Sequence, residues 1–175
     1  MKSARAVLGL TELLILVGAS LFVFSLWMSA YLDPSIQALH FFQSWMYLAA
    51  VVLSLRRNRW GYFVGLSCGG LWDYITVFVN PFLRNGLHWL FASLETGKLT
   101  RPDQILAVPA WVGNLLVVFG SLWAYSRLPD KERADLARLP LAFALTTAYF
   151  AAIIGICQPR YLPLFRGIMH PHRPW

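Results

Sequence analysis

Five stretches of this chain, roughly 6–30, 37–55, 60–80, 104–126 and 139–157, are each about 19 or more mostly apolar residues, the length that crosses a hydrocarbon core at the helical rise. Hydrocarbon offers no water to the peptide groups, so such segments fold as helices. The expected class is all-α: an integral membrane bundle of five transmembrane helices forming one domain over 1–157, followed by an extramembrane tail over 158–175. The second stretch is diluted by His40, Gln43 and Ser44 but ends sharply at Arg56, Arg57 and Arg59. With 58% hydrophobic and 13% charged residues among 175, an ordinary soluble domain is excluded. Met1 to Arg5 resembles the start of a signal peptide, yet the apolar run continues through Met28 without a small-residue cleavage site, so the segment is expected to remain as a span.

The formal net charge of +7 is spread over loops and tail with no basic run, which argues against nucleic-acid binding and fits the setting of topology. In a five-span chain Lys2, Arg5, Arg56, Arg57, Arg59, Arg127, Lys131, Arg133 and Arg138 share one side, nine of the 15 Lys and Arg residues. Arg84, Lys98, Arg101, Arg160, Arg166 and Arg173 oppose them from a longer loop and the tail, where the positive-inside rule weighs charge less. The prediction is a cytoplasmic N-terminus and an external C-terminus, as in a bacterial inner membrane. Asp33-Pro34 is then an external turn, with Pro34 opening the second helix.

Between the third and fourth spans, Leu83, Leu87, Leu90 and Leu94 follow helical spacing with Arg84, His88 and Glu95 interspersed, which predicts an amphipathic interfacial helix near 82–95. A re-entrant hairpin broken at Gly86 is the alternative. The tail from Gln158 holds four prolines, three arginines and several aromatics, a composition suited to lying along headgroups or docking onto a neighbour. Trp27, Tyr31, Trp45, Trp60, Trp111 and Trp123 fall toward span ends, as an aromatic belt requires.

On the third span, Gly61, Gly65, Gly69 and Asp73 recur at every fourth position and share one face. Such a face admits another backbone closely, and a carboxylate in line with it is expected to meet protein or a cavity instead of acyl chains. Ala110, Gly113, Val117, Gly120 and Ala124 make a similar stripe on the fourth span, as do Ala144, Ala148, Ala151 and Gly155 on the fifth. Three smooth faces in so small a protein leave surface for another subunit, and such grooves equally hold lipid tails, quinone or pigment.

Gln43, Asp73 and Asn114 each lie about 13 residues, or roughly 20 Å, from the inner end of their helices, which places them in one candidate polar layer. Thr146 and Thr147 fall a few residues inward. The layer has three readings: interhelical hydrogen bonds of about 1 kcal/mol or less each, a proton or ion relay through Asp73, or a pairing of Asp73 with another subunit. Glu12 is the other intramembrane acid, near Arg5.

His40, His88, His170 and His172 are all expected at or beyond the external boundary, without HxxxH or HExxH spacing. His40, helical and near hydrocarbon, is the candidate ligand for haem or another cofactor, and no metal site is predicted. Cys68 and Cys157 form no CxxC and read as small buried hydrophobes. No Walker loop, GxSxG or inverted repeat occurs. The residues favour a non-catalytic multi-pass subunit that packs against partner subunits, membrane lipid or a bound hydrophobic cofactor in a larger complex. The alternatives are a small channel or proton-coupled transporter using Asp73, and a membrane enzyme or electron carrier with outer-face histidine ligands.

Overall fold

The computed structural model describes residues 9–169, so that Lys2, Arg5, His170, His172 and Arg173 lie outside the described residues. The helices are α1 (Leu10–Leu32), α2 (Gln37–Leu55), α3 (Arg59–Tyr74), α4 (Phe82–Thr96), α5 (Pro102–Ile105), α6 (Ala107–Ser126), α7 (Asp135–Cys157) and α8 (Pro163–Met169). A π-helical turn, Ile75–Val79, continues α3, and no strand occurs among the described residues. Leu10–Leu32, Pro34–Leu55, Arg59–Val79, Pro102–Ser126 and Asp135–Cys157 are long and apolar enough to cross a membrane.

The element ends follow from local chemistry. The Asp33 carboxylate accepts the Ser35 N–H at 3.0 Å, and Pro34 opens a 3₁₀ turn, so α1 reverses into α2 with almost no loop. Asn58 accepts the Trp60 N–H at 2.9 Å and caps α3, one residue after Arg57 takes a left-handed conformation at φ 53°. Gly97, at φ 64°, ends α4 as a left-handed cap. The hairpin break considered at Gly86 does not occur. There α4 runs on unbroken, and the missing Cβ lets it approach α5, since a Cβ would stand 2.9 Å from the Gln104 carbonyl oxygen.

α1, α2, α3 and α6 form a ring in which α6 packs on both α1 and α3, and α2 closes the opposite side. α7 lies outside this ring against α3 and α2. At the centre Phe22 stacks on Tyr47 with ring centroids 4.2 Å apart, within a core that includes Cys68, Val117, Phe150 and Ile154. Leu122, Leu145 and Ile156 stand exposed on the outside, as a lipid-facing surface requires.

One end of the bundle is tied by ions. Asp135, its side chain 2% exposed, accepts from Arg59 at 3.0 Å, Arg138 at 2.9 Å, the Tyr125 hydroxyl at 3.3 Å and the Glu132 N–H at 3.1 Å. Glu132 pairs with the same two arginines, and Arg59 also donates to the Asp130 carbonyl. These mutual pairings let α7 begin at Asp135, four residues before the apolar stretch starting at 139, because its first-turn charges satisfy one another. Glu12 faces Arg57 at 3.8 Å at this end. At the other end, the Gln158 side chain donates to the Ser35 carbonyl and Arg160 to the Ser35 hydroxyl at 3.2 Å, while the Tyr74 hydroxyl donates to the Ile168 carbonyl at 3.3 Å. α8 is thereby folded back onto the π turn.

Candidate functional site

The glycine face of α3 meets this chain's own helices. A Cβ on Gly61 would collide with the Leu53–Ser54 backbone of α2, and one on Gly65 with the Ser121 hydroxyl of α6. A Cβ on Gly69 would stand 2.8 Å from a methyl of Val118. Gly113 and Gly120 turn the opposite way, toward α1: a Cβ on Gly113 would lie 2.7 Å from the Gly18 carbonyl oxygen, and one on Gly120 would lie 3.0 Å from Ile15. α6 is thus approached closely on two sides, with backbone meeting backbone at the Gly18–Gly113 crossing. Gly18 carries no spacing signal in the sequence, being an isolated glycine in an apolar run.

The α3 ridge ends in Asp73, which is partly buried. The Asn114 side chain reaches its carboxyl, while Asp73 Oδ1 is sealed from solvent without a hydrogen-bond partner. Asn114 Oδ1 in turn accepts the Tyr47 hydroxyl at 2.6 Å, and both residues are fully buried. Of the three residues assigned to a polar layer, the structure brings Asp73 and Asn114 together and adds Tyr47. Tyr47 lies one helical turn beyond Gln43 on α2, which is the signal that could have found it. Gln43 is 3% exposed and makes no hydrogen bond, opening instead onto a cavity it shares with Asn114. Thr146 is fully buried with an unpartnered hydroxyl, whereas Thr147 lines an open groove on α7. Where α3 widens into its π turn, the Thr76 hydroxyl lies 2.9 Å from the Trp72 carbonyl and 3.2 Å from that of Asp73, answering backbone acceptors that the altered helix leaves short of partners.

His40 Nδ1 lies 2.8 Å from the Leu26 carbonyl oxygen. A carbonyl only accepts, so Nδ1 carries the proton and Nε2 is left for another partner. His88 stands exposed on α4 beside Trp89, away from this cavity. Among the described residues no group of three or more His, Cys, Asp or Glu side chains gathers as a metal site, and both Cys68 and Cys157 are free thiols.

The cavity has a volume of about 310 Å³. It extends from Asp33, Asp103, Gln104 and Tyr161 at the helix-end level inward to Gln43, Asn114 and Trp72, between walls that include Phe22, Leu26 and Trp111. Its two acids already have partners. The Ser35 side chain and backbone hold the Asp33 carboxyl below the usual carboxylate range, with Arg160 adding to the effect, and Arg101 grips Asp103 with two hydrogen bonds of 3.1 and 3.0 Å. Apart from this cavity, Leu139, Pro140, Phe143, Ala144, Thr147, Ala148 and Ala151 border the open groove along α7. No known family, curated protein or solved structure matches this chain.

Proposed function

We propose that this chain is a non-catalytic multi-pass subunit of a larger membrane assembly, held in a bacterial inner membrane with its N-terminus cytoplasmic and its C-terminus external. One observation carries the reading. The small-residue faces of α3 and α6 are filled by the chain's own helices, whereas the Ala144, Ala148 and Ala151 stripe of α7 borders an open groove. Small residues at this spacing admit a second helix at close range, and α7 packs on its own bundle mainly through α3 and α2. Native-membrane cross-linking followed by mild detergent extraction and mass spectrometry is the test. Partners in fixed stoichiometry are expected, and they are lost in Ala148→Leu while the chain's own melting temperature holds. Recovery as a lone chain, or association indifferent to Ala148→Leu, would overturn the proposal.

A second reading rests on Asp73, whose unpartnered Oδ1 at the start of the π turn suits a proton or ion contact. Loss of flux in Asp73→Asn with association intact would select a channel or proton-coupled transporter. The third reading, an enzyme or electron carrier with a His40-bound cofactor, draws on the free Nε2 of His40. An absorption band that disappears in His40→Ala would favour it.

A further inference from the structure

The cavity at the loop end of the α1–α2–α3–α6 ring carries an inference independent of the assembly reading. Its least explained member is Gln43. The side chain is 3% exposed, has no hydrogen-bond partner in the protein, and is not among the atoms sealed away from the cavity. A primary amide buried this deeply is costly unless something supplies its missing donors and acceptors. Asn114, also lining the cavity, spends its Oδ1 on Tyr47, and its amide nitrogen carries two N–H groups, of which the Asp73 carboxyl it reaches takes at most one. His40, one turn before Gln43 on the same helix, offers Nε2 as an acceptor because Nδ1 is committed to the Leu26 carbonyl. The inner part of the cavity therefore sets two amide donors beside an imidazole acceptor, within walls of Phe22, Leu26 and Trp111.

We infer that this cavity binds an uncharged amphiphile whose polar head carries a hydroxyl and a carbonyl oxygen, the carbonyl accepting from Gln43 or Asn114 and the hydroxyl donating to His40 Nε2. A charged head is disfavoured, since no Lys or Arg among the described residues lines the cavity and its two carboxylates, at the helix ends, already accept hydrogen bonds, Asp33 from the Ser35 N–H and Asp103 from Arg101. At about 310 Å³ the volume falls at the small end of ligand cavities, of roughly 300–1,000 Å³, and fits a ring or glycerol-sized head with its tail outside. A diacylglycerol carries both groups on one head, a free hydroxyl beside ester carbonyls, whereas a quinone has carbonyls without a hydroxyl and a quinol has hydroxyls without a carbonyl.

The test uses the full chain in mild detergent with two probes, a decylubiquinol/decylubiquinone mixture and 1,2-dioctanoylglycerol, each followed by native mass spectrometry and by fluorescence from the cavity tryptophans. Saturable one-site binding of 1,2-dioctanoylglycerol is expected, with the quinol/quinone mixture binding more weakly because neither of its members offers both groups. Decylbenzene, which has no oxygen, should fail to compete. Gln43→Leu should weaken binding about tenfold, the scale of one lost hydrogen bond to a neutral group, while the empty protein melts no lower than the parent. Ala110→Phe, which projects a ring from a lining position, should abolish binding. If that variant does not fold, Gln43→Leu carries the test. Absence of saturable 1,2-dioctanoylglycerol binding, tighter binding by the quinol/quinone mixture, equal competition by decylbenzene, or unchanged affinity in Gln43→Leu would overturn the inference. A Gln43→Leu chain that melts lower would instead give the glutamine a packing role.

Discussion

At the scale of single residues, the molecule is governed by where side chains are missing. Gly18 and Gly113 each lack the Cβ that would strike the other's carbonyl, at 2.6 and 2.7 Å, so alanine at Gly113 must push α1 and α6 apart. The expected cost is about 1–3 kcal/mol, the range for overpacked sites. Gly70 is the control, since a Cβ there meets nothing within 4 Å, and Gly70→Ala should leave stability unchanged or raise it by up to about 1 kcal/mol through helix propensity. Equilibrium unfolding in mixed micelles of the two variants checks the pair, and similar costs would refute this account of the crossing. The periodic glycines of α3 are legible in the sequence because spacing is a local property. What faces them is not, because the surface opposite Gly65 belongs to residues more than fifty positions away. Tyr47 escaped notice for a related reason: a tyrosine in an apolar helix reads as bulk, and only the fold places its hydroxyl against Asn114.

Among the elements, α7 owes its start to charge and its course to apolar surface. Asp135 gathers Arg59, Arg138, Tyr125 and the Glu132 N–H around one carboxylate, and so joins α3, α6 and α7 at one end. Asp135→Ala should leave Arg59 facing Glu132 and the Asp130 carbonyl alone, loosening the first turns of α7. Faster proteolysis between residues 127 and 139 is expected, with α1–α6 packing retained and Asp135→Asn milder than Asp135→Ala. Equal protease resistance in all three proteins would show that the cluster contributes nothing to docking. Sequence reading treats Arg59 as a topology signal alone, because its acidic partners Glu132 and Asp135 lie far along the chain from it. The α4 leucine spacing, by contrast, is local enough to mark a helix, and α4 covers Phe82–Thr96.

For the molecule as a whole, the two ends differ in kind: an ion cluster at one, a cavity capped by folded-back tail residues at the other. In the proposed orientation a cysteine replacing exposed Leu99 should react with a membrane-impermeant maleimide in intact cells, and one replacing exposed Leu136 only after permeabilisation. Cys157→Ser removes the partly exposed native thiol, and Cys68 is buried. The reverse labelling pattern would invert the topology. Hydropathy discloses the five apolar segments, but not that α6 stands between α1 and α3, because ring order is a property of long-range contact.

That order bears on biogenesis. A ribosome that has released α1, α2 and α3 has delivered the glycine clefts of a ring whose fourth member is still unsynthesised, since the segment that fills them begins only at Ala107. Until then Gly18, Gly65 and Gly69 border empty slots at the translocon exit, and whatever occupies them in the interval, lipid or chaperone, must leave when α6 arrives.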